Sequence, residues 1–380
     1  MKIHEIFRSG FFWLILFIFL LHTVAYPSIH HIIDEYTYLK ASEKFCKMDF
    51  SDFLGKKTEE NVEFYSHNTP MYAIIFCLTS PIHGFDVERA EIVTFGFLIA
   101  LTAGWYYSIP KDWKLDRRKV VLLIFSNSLL WVYGLRALKD VPLAFFLSLG
   151  IFHLYLYLEN KKIKNYYIAF VLVAIALMLK ESAILYIPIF FVYLLIRRDR
   201  KLKDWIFLIL PVIPYMIFTA FQLASGFPVA YLFTSSMKFT TPFTYQQNIP
   251  YASLPTILFM AGIFGPGIIS VIIRWKDQFF TRSQFNNFLK FSLILYIIWE
   301  LVFDILLFGN MPRYHTVIIP FLSLIIAEAS DRSRTLKILF YLTVAYSVLS
   351  GFLISYYFHV KTLEIWMNSP KKIIESILKR

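Results

Sequence analysis

Residues 28–45, SIHHIIDEYTYLKASEKF, follow directly on the apolar run FFWLILFIFLLHTVAYP at 11–27. A bilayer core is crossed by about 20 mostly apolar residues, and the run at 11–27 has that character. No small-residue cleavage site follows it, so it reads as a retained span rather than a removed leader. Asp34 and Glu35 therefore stand where the chain leaves the membrane. Ionisable residues at that depth are costly and need a chemical reason.

The rest of the chain has the same texture. It is 380 residues long, 58% hydrophobic, with 40 phenylalanines and a formal net charge of +12. Apolar residues come in long runs parted by short basic clusters, which a soluble domain does not show. Runs near 11–27, 89–108, 119–135, 140–158, 165–181, 182–197, 205–224, 254–273, 288–308, 314–329 and 335–357 predict an all-α integral membrane protein of about eleven spans. With the N-terminus inside, the inside connections hold the majority of the 38 basic residues. They include Lys2, Arg8, Arg117, Arg118, Lys119, the KKIK at 161–164, the RRDRKLK at 197–203, Arg332 and Arg334. That bias sets a cytoplasmic N-terminus in a multi-pass cell-membrane protein. Basic residues scattered through connections form no single face, which argues against nucleic acid as a partner. Cys46 and Cys77 both fall outside; two cysteines can pair, but inert thiols are the expectation.

A membrane domain over 1–360 is expected, followed by an amphipathic tail at 361–380. In the tail, Ile373, Ile374, Ile377 and Leu378 share one helical face, which suits a membrane surface. The first outside segment, 27–88, is acidic and contains MYAIIFCLTSPIH at 71–83, apolar but too short to span, so it is expected to form short interfacial helices. The second, 225–255, is rich in aromatic residues, Thr and Pro and suits a lip over the membrane. No internal repeat is present. No mirrored pair of broken spans points to a secondary transporter.

On this topology four separate segments carry charge to one membrane face. Asp34 and Glu35 end the first span. Arg136, Lys139 and Asp140 lie in GLRALKDVPLAFF, Lys180 and Glu181 in LMLKESAIL, and Arg313 in GNMPRYHTVIIP. For any one residue, ordinary loop charge and snorkelling to the headgroups explain it equally well. Taken together, fixed cations at one face form an anion site, and lipid phosphate is the anion available there. Arg gives forked contacts to phosphate oxygens and Lys a point charge. A neighbouring carboxylate can remove the proton of an attacking hydroxyl. A lipid-linked phosphosugar satisfies both parts, because the cations stabilise the charge that develops on the departing phosphate.

These motifs resemble the GT-C class of membrane glycosyltransferases, in particular the branch of the protein O-mannosyltransferases and the lipid A aminoarabinose transferase. The resembling stretches are IIDEYTYLKASEKF (32–45), SHNTPMYAIIF (66–76), LRALKDVPLAFFLSL (135–149), MLKESAIL (178–185) and PRYHTVIIP (312–320). The resemblance implies that Asp34 is the catalytic base and that Glu35 supports it. It implies that Asp140 lies in the sugar or acceptor pocket, and that Lys180 and Arg313 are phosphate ligands. Arg136, Lys139, Glu181, Tyr314 and His67 are expected in the same substrate site. The implied donor is a polyprenyl-phosphate sugar; the acceptor is a lipid, glycan or protein, and membrane lipids are the further partners. Asn68-Thr69-Pro70 carries one proline where the branch has two. Only a short tail is expected after the last span, so the acceptor class stays open.

His30, His31 and His67 lie near Asp34 in sequence or by the implied fold, and a His–carboxylate metal site is conceivable. Adjacent His30 and His31 point to different sides of a helix or strand. No cofactor and no metal is the favoured expectation. His315 is expected to bond locally or to touch phosphate. Two rivals stay open: a transporter or flippase of a lipid-linked anion, and a scaffold whose charges do no chemistry.

Overall fold

The computed structural model describes residues 10–25, 33–50, 69–113, 115–197, 201–225, 264–277, 284–300 and 312–357. All of the expected lip at 225–255 except Ser225, the tail at 361–380, His30, His31 and His67 lie outside the described residues. Asp34, Arg313 and Tyr314 are described in their backbone only.

The first apolar run forms α1 (Gly10–Ala25), and α2 (Ile33–Cys46) carries the paired carboxylates. The short apolar stretch becomes α3 (Pro70–Leu78) and α4 (Ser80–His83). Proline at the first turn of each suits a helix start, where no N–H is needed. Gly84 ends α4 with φ +56°, a backbone that glycine adopts freely. Asp86 then caps α5 (Val87–Ser108), its carboxylate accepting the Arg89 N–H at 3.0 Å.

The third expected span, 119–135, is not one helix. It divides into α6 (Arg117–Ser126) and α7 (Ser128–Gly134). The break is Asn127, whose backbone is extended and whose Oδ1 accepts the N–H groups of Leu129 at 3.1 Å and Leu130 at 3.3 Å. A side chain that satisfies the first N–H groups of a helix starts a new one.

The next helices are α8 (Asp140–Asn160), α9 (Ile163–Leu179), α10 (Tyr186–Ile196), α11 (Leu202–Ile209) and α12 (Ile213–Ala224). Pro211 lies in a 3-10 turn, Leu210–Val212, and Pro214 in the first turn of α12, so Leu202–Ala224 is one apolar passage with a break in its hydrogen-bond ladder. The later helices are α13 (Gly267–Asp277), α14 (Gln284–Glu300), α15 (Ile319–Ala329) and α16 (Arg334–Tyr357), with a 3-10 segment Pro312–Val317 ahead of α15. All regular structure among the described residues is helical. Among the described residues three passages, Val87–Ser108, Asp140–Asn160 and Leu202–Ala224, are long and apolar enough to cross a membrane.

α8 is the central post. It is buried on nearly every side, with Leu147, Ile151, Phe152 and Tyr155 all inaccessible or almost so. Trp105 of α5 packs on Phe152 at a ring separation of 4.7 Å and on Phe321 of α15 at 5.1 Å. Its indole N–H donates to Ser148 Oγ at 3.0 Å, which satisfies the one polar atom of a buried ring. A Cβ at Gly150 would stand 2.7 Å from Val173 Cγ2, so the α8–α9 contact needs a residue without one. Small residues at helix contacts are how membrane helices approach closely.

Around this centre the outward side chains are apolar. Trp13, Phe17, Ile92, Ile99, Ile206, Ile217, Phe221, Ile272 and Leu349 are all exposed. So wide an apolar surface is a lipid-facing one. The chain is a membrane protein, all-helical among its described residues.

Candidate active site at one end of the bundle

The site is assembled where α2, the turn between α7 and α8, the end of α9 and the 3-10 segment before α15 meet. Gly134 ends α7, and the chain turns through Leu135–Lys139 before Asp140 opens α8. This turn is buried: Arg136, Lys139 and Asp140 are each less than a twentieth exposed.

Glu35, in the first turn of α2, is fully buried. Its Oε1 accepts the Ala137 N–H at 3.0 Å. On the other side of Ala137, the Tyr72 hydroxyl of α3 donates to the carbonyl oxygen at 2.6 Å. Ala137 is thus held at both its N–H and its carbonyl, by the helix that carries Asp34 and by the short helix α3. Burial raises the Tyr72 phenol well above its ordinary value, and the nearby Tyr38, Glu35 and Asp140 raise it further. It therefore stays protonated and remains a donor.

α2 and α3 form a pair. Tyr38 packs on Tyr72 with ring centroids 5.1 Å apart, and Tyr72 stacks on Phe76 at 4.3 Å. Lys139 Nζ lies 4.4 Å from the centre of the Tyr38 ring and 5.8 Å from that of Tyr72. A cation over an aromatic face is stabilised by the ring quadrupole. The expectation of inert thiols is corrected here. Cys46 and Cys77 form a disulfide with Cα atoms 5.4 Å apart, joining the end of α2 to α3. The physical reason is the α2–α3 packing, which brings the two Cβ atoms into bonding range although 31 residues separate them.

Lys180 follows the last residue of α9 in an extended conformation that ends the helix. Its Nζ pairs with Asp140 Oδ1 at 3.1 Å, with Lys180 17% and Asp140 3% exposed at the side chain. The Thr69 hydroxyl, just before α3, donates to the Leu179 carbonyl beside it. Thr316 Oγ1 donates to the Asp140 carbonyl at 3.3 Å, which anchors the 3-10 segment bearing Arg313 and Tyr314 on the same helix start. His315 is buried next to it. Glu181, next in sequence to Lys180, lies within electrostatic range of Tyr215.

The structure therefore brings together Glu35, Arg136, Lys139, Asp140 and Lys180, with the backbone of Asp34 and Arg313 close by. Sequence reading missed Tyr38, Tyr72 and Thr316, which fasten the charged turn and the start of α8, and Thr69, which fastens the end of α9 before Lys180. It also missed Glu91, a buried carboxylate of α5 within electrostatic range of Arg136. Its signal was spacing, since Glu91 shares a helical face with Leu98, which packs against Gly134. Among the described residues no cluster of three or more His, Cys, Asp or Glu is present.

Residues 67–241 match the family model described as dolichyl-phosphate-mannose-protein mannosyltransferase. That stretch contains the 136–140 turn, Lys180 and Glu181. No curated protein sequence matches the chain. The fold is similar to the crystal structure of ArnT from Cupriavidus metallidurans bound to undecaprenyl phosphate, with a TM-score of 0.63 and 16% identity over 86% of this chain and 61% of that one. It is also similar to ArnT from Cupriavidus metallidurans in the apo state, with a TM-score of 0.59 and 18% identity over 84% of this chain and 60% of that one. The chain thus spans about three fifths of the length of the structures it matches. In fold, and in the family model that its middle portion matches, the chain resembles the GT-C membrane glycosyltransferases.

Proposed function

We propose that the chain transfers a sugar from a polyprenyl-phosphate donor to an acceptor hydroxyl at the outer membrane face. The observation that carries this reading is the junction at Ala137. Through its N–H and its carbonyl, this one residue ties the helix of Asp34 and Glu35, and the short helix α3, to the turn that bears Arg136, Lys139 and Asp140. Carboxylates and cations are needed at one place, and this junction supplies both. The ArnT structure bound to undecaprenyl phosphate supports a polyprenyl-phosphate donor.

In the proposed reaction the Asp34 carboxylate takes the proton of the acceptor hydroxyl. The acceptor oxygen bonds to the anomeric carbon as the bond from that carbon to the phosphate oxygen breaks. The electron pair leaves with the polyprenyl phosphate, whose charge Lys180 and Arg313 stabilise. A single displacement inverts the anomeric centre. Glu35 acts by holding α2 against the turn. Asp140 orients Lys180 and faces the sugar or acceptor, together with Arg136, Lys139, Glu181, Tyr314 and His67. No metal is required in this scheme.

The topology we propose has about eleven crossings and a cytoplasmic N-terminus. The disulfide supports an outer location for α2 and α3, because such bonds persist in oxidising compartments. The sugar and the class of acceptor, whether protein, lipid or glycan, are left to experiment.

The test uses purified protein in nanodiscs with a panel of labelled polyprenyl-phosphate hexoses and pentoses, following release of sugar from the lipid. Turnover by the native chain and none by Asp34→Asn is the expected result. Equal donor binding without turnover in both, with acceptors of all three classes supplied, would replace this reading with that of a lipid-anion transporter.

A further inference from the structure

The end of the bundle opposite Asp140 carries a second arrangement of charge, unrelated to the transfer site. α15 begins beside the Thr316 contact to Asp140 and runs away from it to the turn at residues 330–333, where α16 starts back. Most charges near this turn are already matched. Lys119 of α6 donates to Ser330 Oγ at 2.8 Å and pairs with Asp331. Glu328 holds Arg274 at 2.6 Å and Arg332 at 2.7 Å. The carboxylates here are therefore spoken for. Arg334 and Lys337, one turn apart on α16, have no carboxylate partner among the described residues.

These two side chains line a groove of about 680 Å³, together with Ser330, Asp331, Arg332, Ser333, Ile338 and Tyr341. Its mouth sets Arg332, Arg334 and Lys337 against one carboxylate, Asp331, which Lys119 already pairs with, and its further wall is apolar. The apolar wall does not stop at the groove. Ile338, Tyr341, Leu342 and Leu349 are between half and three fifths exposed and recur at helical spacing, so they form a stripe running from the basic mouth along α16. A free anion needs only the mouth. A ligand with an anionic head and a long apolar chain uses both.

We propose that this groove binds an anionic glycerophospholipid of the leaflet opposite the transfer site. Its phosphate would lie against Arg334 and Lys337 and one acyl chain along the α16 stripe. Basic pockets beside membrane helices attract anionic headgroups in this way. The proposal stands on the membrane character of the fold and is independent of the transfer chemistry.

The experiment releases the full chain from nanodiscs that contain phosphatidylglycerol and phosphatidylcholine in equal amounts, and counts retained lipids by native mass spectrometry. The native chain should retain phosphatidylglycerol in preference to phosphatidylcholine. Arg334→Gln with Lys337→Gln should weaken that retention roughly thirtyfold, the expectation for losing two cations at a membrane surface. Both residues are exposed at a helix start, and an unchanged thermal midpoint of the double variant separates lost binding from lost fold. Equal retention by the two proteins overturns the site. Displacement of the lipid by excess inorganic phosphate alone makes it a free-anion site and overturns the lipid assignment.

Discussion

The Glu35 carboxylate and the Ala137 backbone N–H, 102 residues apart in sequence, meet at 3.0 Å in a place without solvent. Removing the acceptor leaves a buried N–H unpaired, which costs about 1–3 kcal/mol. Glu35→Ala should therefore lower the thermal midpoint in detergent. Glu35→Gln keeps a carbonyl acceptor of the same reach and should fall much less. Equal losses in the two variants would show that the contact does not hold the turn.

Asp140 and Lys180 form a pair whose acidic member is the more deeply buried. Lys180→Met strands the Asp140 charge and should cost up to about 3 kcal/mol, less than for a wholly buried pair because Lys180 keeps some solvent. Asp140→Asn with Lys180→Met should be less damaging than the two single changes added together, by about 0.5–3 kcal/mol. A double-mutant cycle on unfolding midpoints measures this directly; strict additivity would mean that the two groups are not coupled.

The disulfide closes a loop with a sequence separation of 31 residues. By loop-closure entropy a bridge of that span stabilises by roughly 3–4 kcal/mol. Cys46→Ser with Cys77→Ser should lower the midpoint accordingly, and a reducing agent should move the native protein towards the double variant but leave that variant unchanged. A reductant that shifts both alike would show that the bridge is not the element affected.

His83 joins α4 to the end of α3. Its Nδ1 accepts the Phe85 N–H at 2.9 Å, which places the ring proton on Nε2, 3.0 Å from the Phe76 carbonyl oxygen. Burial holds its pKa below the ordinary 6.5, against the opposing effects of the Phe76 carbonyl and Asp86. Protonation of Nδ1 also removes the acceptor for Phe85. The unfolded chain binds the proton more readily, so stability from this residue is complete above pH 6.5 and falls as the pH drops towards the folded value. The protection of the Phe85 amide, its exchange rate relative to that of the unfolded chain at the same pH, should fall on acidification through that window, and His83→Gln should lose that fall. Protection that does not change with pH in the native chain would contradict it.

Gly150 and Gly104 test how closely the helices approach. A Cβ at Gly150 meets Val173 Cγ2 at 2.7 Å and the Val173 backbone N at 3.2 Å, whereas one at Gly104 meets only the ends of flexible side chains, chiefly Leu149 Cδ1 at 2.5 Å. Gly150→Ala should cost about 1–3 kcal/mol through overpacking. Gly104→Ala should cost less, because Leu149 can change rotamer. Unfolding midpoints that ranked the other way would refute the rigid α8–α9 contact.

Much of this architecture was legible in the chain. Long apolar runs between basic clusters foretell helices, and most were found within a few residues of their expected bounds. The adjacency of Lys139–Asp140 and Lys180–Glu181 to helix ends marked the charged turns. What escaped reading was set by contacts between distant segments. Nothing around Asn127 distinguishes it from a polar residue inside a span until its side chain is seen to cap α7. Tyr72 looked like one aromatic residue among many, and its role depends on where the Ala137 carbonyl lies. Lys139 was read as one of the fixed cations of an anion site; that the Tyr38 and Tyr72 rings of other helices lie beneath it could not be read from the sequence. Cysteine pairing needs a distance, and sequence separation supplies none.

The Cys46–Cys77 bond also constrains topology by parity. Two half-cystines that react with each other must share a compartment, so the chain between them crosses the bilayer an even number of times. α2 and α3 are thereby assigned to one side together, whichever way the whole protein inserts. An inserted protein whose Cys46 and Cys77 were labelled from opposite sides would be miswired from its first loop onward. The bond therefore serves as a checkpoint on membrane insertion that can be read with a thiol reagent before any activity is measured.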